Sequence, residues 1–510
     1  MIKKLCMLAS ACLLILPAAA CVSGEGSKGL TKGTAMNTAF YNPLRIEAQM
    51  GDPWLTYHEG YYYYTCSEGA QIRVTKSPWM TNLVRKAGDE TQTKTIKRQQ
   101  QMGVVEIWAP EVFFFEGYWY VYFTATLDGD TDAKDAGRRT YGIKSRTADA
   151  MGEWGDAVEI ELPMDYRSID ATFMDYGGRQ YIVWSGWPNA VNGTGAEAYL
   201  QCLYITELET GNPLKAKSLE PAARVELSRP DYDWEKFNSP QNEGPAVAYA
   251  PETGNPSVLY AASYSGGDNY CIGYLEFTGG DILQKSGWRK GEKPLMQTDM
   301  DYSEVIAPGH CSVTRSPDGK ETWIMYHAAK KSGAGWDRMA RLQKMTWAGN
   351  TPTVERIDRL TAEVPLPSGE TVNRVRYEAE DADLTANCEK IEFSEYDGGR
   401  KLFDYASGGY AINLGGEDDK ITFNFDVPEN GDYLIYLRYS NFQGASTVIA
   451  AEVNGEAVSV YAPLTNFNDS FSTTGFYATC YKRPDKPNTL TVKADKAVYI
   501  DCVIVDRLGR

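Results

Sequence analysis

The feature that most restricts how this chain can fold is a unit repeated five times in its first two thirds. The segments are "WLTYHEGYYYYTC" from residue 54, "VFFFEGYWYVYFTA" from 112, "TFMDYGGRQYIVWSG" from 172, "AVAYAPETGNPSVLYAAS" from 246 and "SVTRSPDGKETWIMYHA" from 312. Each joins an apolar strand to a second strand rich in Tyr, Trp or Val through a turn containing glycine, which is the pattern of a β-hairpin. The turn glycines, Gly60, Gly117, Gly177, Gly254 and Gly319, recur every 57 to 77 residues. That spacing leaves room for one four-stranded blade plus loops, so residues 38–350 are predicted to form a five-bladed β-propeller.

A polar residue precedes each hairpin in a short distinctive setting: Asp52 in "GDPW", Glu111 in "WAPE", Asp170 in "SIDAT", Glu243 in "NEGPA" and His310 in "PGHCS". In a propeller the innermost strand of each blade starts near the axis, so these side chains, up to 258 residues apart in sequence, would meet at one mouth of the central channel. One acid before a strand is ordinarily a solvated turn residue. Five polar residues in the same register point instead to a site, and converging carboxylates suit glycosidic bond hydrolysis. There one acid protonates the leaving oxygen while another activates water.

Composition agrees with this reading. Lys and Arg number 51 against 68 Asp and Glu, an acidity that argues against a nucleic-acid partner. Aromatic residues make up 12% of the chain, with 34 Tyr, as expected of strand-rich sequence that can also stack against sugar rings.

The chain opens with "MIKKLCMLASACLLILPAAAC", a basic start, an apolar run and small residues, which is a secretory signal over 1–21. Its "AAAC" ending resembles a bacterial lipoprotein box and implies acylation of Cys21, with 22–37 as a flexible tether. The protein is therefore expected to cross the inner membrane and remain lipid-anchored in the cell envelope, touching the membrane only through that anchor. Seven further cysteines have no metal-type spacing. Being odd in number, they leave at least one free, and Cys480 and Cys502 are a candidate disulfide pair.

The set "GDPW", "WAPEV", "SIDATF", "NEGPAV" and "PGHCSV" resembles glycoside hydrolase family 43. "LSRPDYDWE" (227–235) and "APGHCSVTRSPDGKETWIMYHA" resemble its branch of exo-acting α-L-arabinofuranosidases. The resemblance implies an inverting mechanism with Asp52 as general base, Glu243 as general acid and Asp170 as the carboxylate that orients Glu243 and raises its pKa. Acid and base would stand roughly 6.5 to 9.5 Å apart, with a water between them. His310 matches a channel histidine that helps hold calcium, mainly through water, although a hydrogen-bonded core histidine reads the same. Glu111 would brace the site. Arg341 in "MARLQKMTW" is a candidate sugar contact or a surface ion pair, and Trp108, Trp184 and Trp187 are candidate sugar platforms or core residues.

Residues 351–375 carry Pro and Ser with little periodicity and read as a linker, and all 12 Trp lie before it. From 376 to 510 short alternating strands such as "KITFNFDV" and "DYLIYLRYS" predict a β-sandwich. Its "YEAED" and "YIDCVIV" resemble carbohydrate-binding modules of families 6 and 35, which implies structural calcium at Glu378, Glu380 and Asp501. The loop expected to present a Trp to sugar reads "NDSFST", with Phe471 in that place, and Tyr499 replaces an expected Asn; glycan binding and simple packing both remain open for this module.

The chain is thus expected to be an all-β, secreted exo-α-L-arabinofuranosidase acting on plant cell-wall arabinan or arabinoxylan. A β-xylosidase or dual-specificity enzyme is the nearest alternative, and a non-catalytic glycan-binding propeller is the alternative of another class.

Overall fold

The apolar runs flanking each turn are long enough to pair along their length, and in a computed structural model of the chain each becomes the first two strands of an antiparallel sheet. The structure describes residues 29–507 except 45–49, 87, 130–134, 165, 190–198, 302, 360–361, 393, 397–399, 403–405, 417, 442–445, 466–470 and 495. The signal segment and Cys21 lie outside the described residues.

Five sheets follow one another along the chain, opening with β1 (Gly51–His58), β2 (Val104–Phe115), β3 (Ser168–Tyr176), β4 (Asn242–Tyr249) and β5 (Ile306–Arg315). Each has four strands in chain order, and the third gains a fifth, Val225–Ser228. The opening strands touch in a closed cycle, β1 to β2 and so on to β5, which returns to β1. Polar contacts pin neighbours: the Leu55 N–H donates to Ser312 Oγ at 3.0 Å, and Trp54 Nε1 to the Val112 carbonyl at 2.9 Å. An apolar cluster fills every gap between adjacent sheets, including the closing gap between the fifth and first, where Leu55 and Tyr62 meet Trp323 and Leu342. Because both faces of each sheet are covered, strands such as Tyr118–Leu127 are apolar on both sides.

Every opening strand breaks register where its site residue lies: Gly51/Trp54 in β1, Trp108/Glu111 in β2, Ile169/Thr172 in β3, Glu243/Ala246 in β4 and Gly309/Cys311 in β5. Bulges of this kind re-aim a side chain out of the pleat. Asp52, Asp170 and His310 adopt left-handed φ values of 54°, 52° and 32°, a strain that is uncommon away from functional sites.

The C-terminal region holds β6 (Asn373–Glu378), β7 (Gly431–Ser440), β8 (Ser472–Cys480) and β9 (Val498–Arg507), with β9 bonded to both β6 and β7. A second sheet contains Ile421–Phe425, Asn488–Ala494 and Thr447–Val453. Ile435, Leu437 and Val503 of the first share one core with Phe423, Leu490 and Val492 of the second.

The segments expected to be tether and linker are partly built into the fold. Gly33–Ala35 pairs with β6, Ala39–Tyr41 pairs with Glu363–Pro365, and Thr351–Thr353 completes the fifth sheet. Short strands of three residues are too brief to show periodicity. Arg374, at the start of β6, pairs with Asp506 at 2.7 Å and donates to Thr81 Oγ1 at 3.1 Å, so it joins the C-terminal region to the loop between the third and fourth strands of the first sheet.

Cys480 and Cys502 are not a disulfide pair; both are buried free thiols. Cys480 lies opposite Gly431 and Cys502 opposite Arg438. Those partners are seven residues apart on β7, or ~23 Å at strand rise, far beyond disulfide reach.

Candidate active site

The bulges turn Asp52, Asp170, Glu243 and His310 into one open cavity of about 1060 Å³, whose wall also includes Trp108, Arg138, Arg167, Tyr270 and Arg338. Asp52 is the most accessible of the three acids, its side chain 19% exposed. Its Oδ2 accepts from Ser67 Oγ at 2.5 Å, while Oδ1 lies 3.3 Å from His310 Nδ1 and 3.9 Å from Arg338 Nη1. Its backbone N–H donates to His327 Nδ1 at 3.0 Å. These are the surroundings of a carboxylate that serves as an acceptor.

Asp170 and Glu243 are buried. Burial, with the charge of Asp52 adding to it, pushes Asp170 up to about 7, against an opposing pull from Arg167. Glu243 is also raised, first by burial and then by Asp170; Tyr270, Arg167 and His310 pull it the other way. Two acids coupled in this way titrate as a pair, and their proton is retained toward neutral pH. The Gly244 N–H donates to Asp170 Oδ2 at 3.2 Å, which fixes the two acids relative to each other.

Two glycines in the motifs follow from crowding. A Cβ at Gly244, whose φ is +53°, would stand 2.8 Å from the His310 ring, and one at Gly309 would stand 2.0 Å from Tyr270 Cε1. The imidazole and the phenol therefore reach the cavity only where side chains are absent.

Glu111 is fully buried, with the Thr172 hydroxyl as the polar group beside its carboxyl. Burial holds it well above the usual carboxylate range, and Asp170 and Asp52 add to the effect. It lies beside the acids without lining the cavity.

Of the expected aromatic platforms, Trp108 lines the cavity with the Arg138 guanidinium 3.3 Å from its ring centroid. Trp184 and Trp187 do not. Trp184 lies on an inner strand whose two faces are both covered, packed with Tyr204 in the core between the second and third sheets. Trp187 is buried beneath Arg167, whose guanidinium stands 5.4 Å from its ring. Arg341 is 2% exposed and faces a separate small cavity with Phe471 and Ser472 of the C-terminal region, so it is neither a sugar contact nor a surface ion pair. Arg338, three residues earlier on the same strand, faces the cavity instead, because positions an odd number apart point to opposite faces. Phe471 is buried against Arg438, at 4.6 Å, and is not an exposed platform. The preceding residues of its loop, 466–470, lie outside the described residues.

At the cavity rim the sequence reading passed over Trp336, 55% exposed, which donates to Ser265 Oγ at 3.2 Å and meets Tyr264 edge-on. It also missed Gln201 and Tyr270, which hold Glu243. Each stands just before a cysteine that opens the third strand of its sheet, "QC" at 201 and "YC" at 270, a repeat that was there to be found.

In the C-terminal region Ser407 bridges Glu378 Oε2, at 2.6 Å, and Asp501 Oδ2, at 3.1 Å. Arg376 pairs with Glu378 at 2.8 Å and Arg438 with Asp501. Glu380, pushed up to about 7 by burial and by those two acids, keeps a buried Oε2 that has no partner among the described residues. Among the described residues no three His, Cys, Asp or Glu side chains are gathered as a set able to hold a metal ion.

An all-β chain that gathers buried and partly buried carboxylates in a cavity at the meeting point of its opening strands has the layout of a carbohydrate-cleaving catalytic domain. The chain belongs to glycosyl hydrolases family 43, whose model matches residues 40–352. It is 31% identical over 332 residues to an extracellular exo-α-(1→5)-L-arabinofuranosidase of Streptomyces avermitilis, covering 63% of this chain and 64% of that one. It is 28% identical over 345 residues to α-L-arabinofuranosidase 43 of Humicola insolens, covering 66% of each. The chain thus spans just under two thirds of the length of these relatives. Among solved structures it resembles an α-L-arabinofuranosidase from Lactobacillus brevis, with 28% identity and a TM-score of 0.54 over 63% of this chain and 97% of that one.

Proposed function

We propose that the protein is an inverting exo-α-L-arabinofuranosidase that releases L-arabinose from arabinan or arabinoxylan. The observation that carries this is the division among three carboxyl groups in one cavity. Asp52 sits among donors, while Asp170 and Glu243 are buried and raised. Glu243 gives its proton to the glycosidic oxygen, Asp52 takes one from the attacking water, and Asp170 keeps Glu243 protonated toward neutral pH. The names of the relatives support arabinose over xylose. Hydrolysis of nitrophenyl arabinofuranoside and nitrophenyl xylopyranoside, measured side by side, tests the choice: arabinofuranoside turnover at least tenfold higher is expected, and the reverse preference would refute it.

The same reading makes the five sheets the blades of a five-bladed propeller and residues 376–510 a β-sandwich module that packs on it. The signal segment and the extracellular relatives support secretion, with the lipid on Cys21. Cys21→Ser should move the protein from the membrane to the soluble fraction. Calcium at Glu378, Glu380 and Asp501 is supported by the Glu380 Oε2, which has no partner among the described residues, and opposed by the two neighbouring arginines. A rise in unfolding temperature on adding calcium that is lost in Glu380→Gln would establish it there, and a rise that persists would show that Glu380 is not a ligand.

A further inference from the structure

The carboxyl group of Glu243 is held differently at its two oxygens. Oε2 accepts from Gln201 Nε2 at 2.6 Å, and Oε1 accepts from the Tyr270 hydroxyl at 2.8 Å. Gln201 in turn presents its Oε1 to Nη1 of Arg167. Turning the amide over would set its NH2 against a guanidinium that has only donors and its oxygen against a carboxyl oxygen, two repulsive contacts in a buried place. Arg167 does not lose its proton under ordinary conditions, so the amide has one orientation. The backbone reinforces this: the Gln201 N–H donates to the Pro240 carbonyl at 3.1 Å, and the Asn242 N–H donates to the Gln201 carbonyl at 3.0 Å. Gln201 is thereby tied on both sides to the segment that carries Glu243.

We propose that Arg167, Gln201 and Tyr270 confine the acidic proton of Glu243 to Oε1. Oε2 is already an acceptor for an N–H that cannot be replaced, whereas the Tyr270 hydroxyl can either donate or accept. With the acid protonated, Tyr270 offers its oxygen as acceptor; once the proton has gone, its O–H rotates and donates to the new carboxylate. The step balances without a proton leaving Tyr270. The Oε1 proton passes to the glycosidic oxygen, which departs with the bonding electron pair, and water supplies the hydroxyl at the anomeric carbon while its own proton goes to Asp52. Gln201 and Tyr270 are positioning residues that act through Glu243.

The inference rests on the reading of Glu243 as the acid. The groups that face Glu243 are Asp170 of β3, Arg167 just before β3, Tyr270 of the fourth sheet and His310 of β5. Tyr270 also faces Arg338 and Asp52, and Arg167 also faces Asp135 and Arg138.

Gln201 donates to Oε2 in both states, and Tyr270 donates to Oε1 once Glu243 is ionised, a charge-assisted bond stronger than the one it accepts from the acid, so Gln201→Met and Tyr270→Phe should each raise the pKa of Glu243. The basic limb of the kcat/KM profile is expected to move up by about 0.5 to 1 pH unit in each. In Gln201→Met, kcat should fall about tenfold further on an arabino-oligosaccharide than on dinitrophenyl arabinofuranoside, with KM little changed, because only the former needs a well-placed proton. A residue that merely supports the fold would lower both substrates alike and leave the limb in place. If Gln201→Met does not fold, Tyr270→Phe, which removes one oxygen atom, decides. A limb that stays put in the folded variants overturns the inference. Failure of Glu243→Ala itself to discriminate between the two substrates would instead overturn the assignment of the acid.

Discussion

The backbone N–H of Gly244 donates to Oδ2 of Asp170 at 3.2 Å, which ties the residue after Glu243 to the carboxyl group whose charge, next to burial, most opposes ionisation of Glu243. One contact thus sets both the position of the acid and its readiness to hold a proton. The left-handed backbone at Asp170 is one that Asn also tolerates, so Asp170→Asn keeps the contact and removes the charge.

Asp170→Asn should lower the pKa of Glu243 and move the basic limb of the activity profile to lower pH. It should also change stability. Folded Asp170 titrates at about 7 against an ordinary value of 3.8, so folding becomes less favourable as pH rises through that window. The loss is on the order of 4 kcal/mol when complete. The Asn variant should therefore melt higher than the parent at pH 8 and about equally at pH 4, as followed by calorimetry. A parent protein that is more stable than the variant at pH 8 would contradict the burial argument.

Gly309→Ala would place a methyl group 2.0 Å from Tyr270 Cε1, and the phenol would have to leave Glu243. Overpacking of this kind costs ~1–3 kcal/mol. The expected result is a lower Tm together with a loss of activity greater than that of Tyr270→Phe, because the displaced ring also fills the cavity.

The sequence made the hairpins and their acids legible because strand alternation and turn glycines are local signals, and Asp52, Asp170 and Glu243 do share one cavity. It could not show the bulges, which depend on how two strands pair. It left Trp184 open between sugar platform and core, since only the sheet shows that this strand is covered on both faces and buries its aromatics. At Arg341 the error was one of face: without a register, Arg338 and Arg341 look alike, yet the pleat sends only Arg338 to the cavity. The three-residue strands at 33–35 and 363–365 carry too few positions for any period to appear.

Asp506→Ala should loosen the C-terminal region from the first sheet. It leaves the Arg374 guanidinium buried with its carboxylate partner gone, a change that costs ~3–5 kcal/mol. Thermal unfolding should begin at lower temperature and separate into two transitions, while kcat on an aryl arabinofuranoside, read well below the first transition, stays close to the parent value. A single unshifted transition would show that Arg374, held in place by Asp506, does not couple the two regions through Thr81.

The division of labour between Glu243 and Asp52 is tested most directly by leaving-group dependence. Dinitrophenolate departs with little help from a proton, so Glu243→Ala should retain most of its activity on dinitrophenyl arabinofuranoside while losing at least about a hundredfold on arabinan. Asp52→Ala should lose activity on both, because water must be activated whichever group leaves. Equal losses on the two substrates for both variants, each shown to be folded, would contradict the assignment of Glu243 as acid and Asp52 as base.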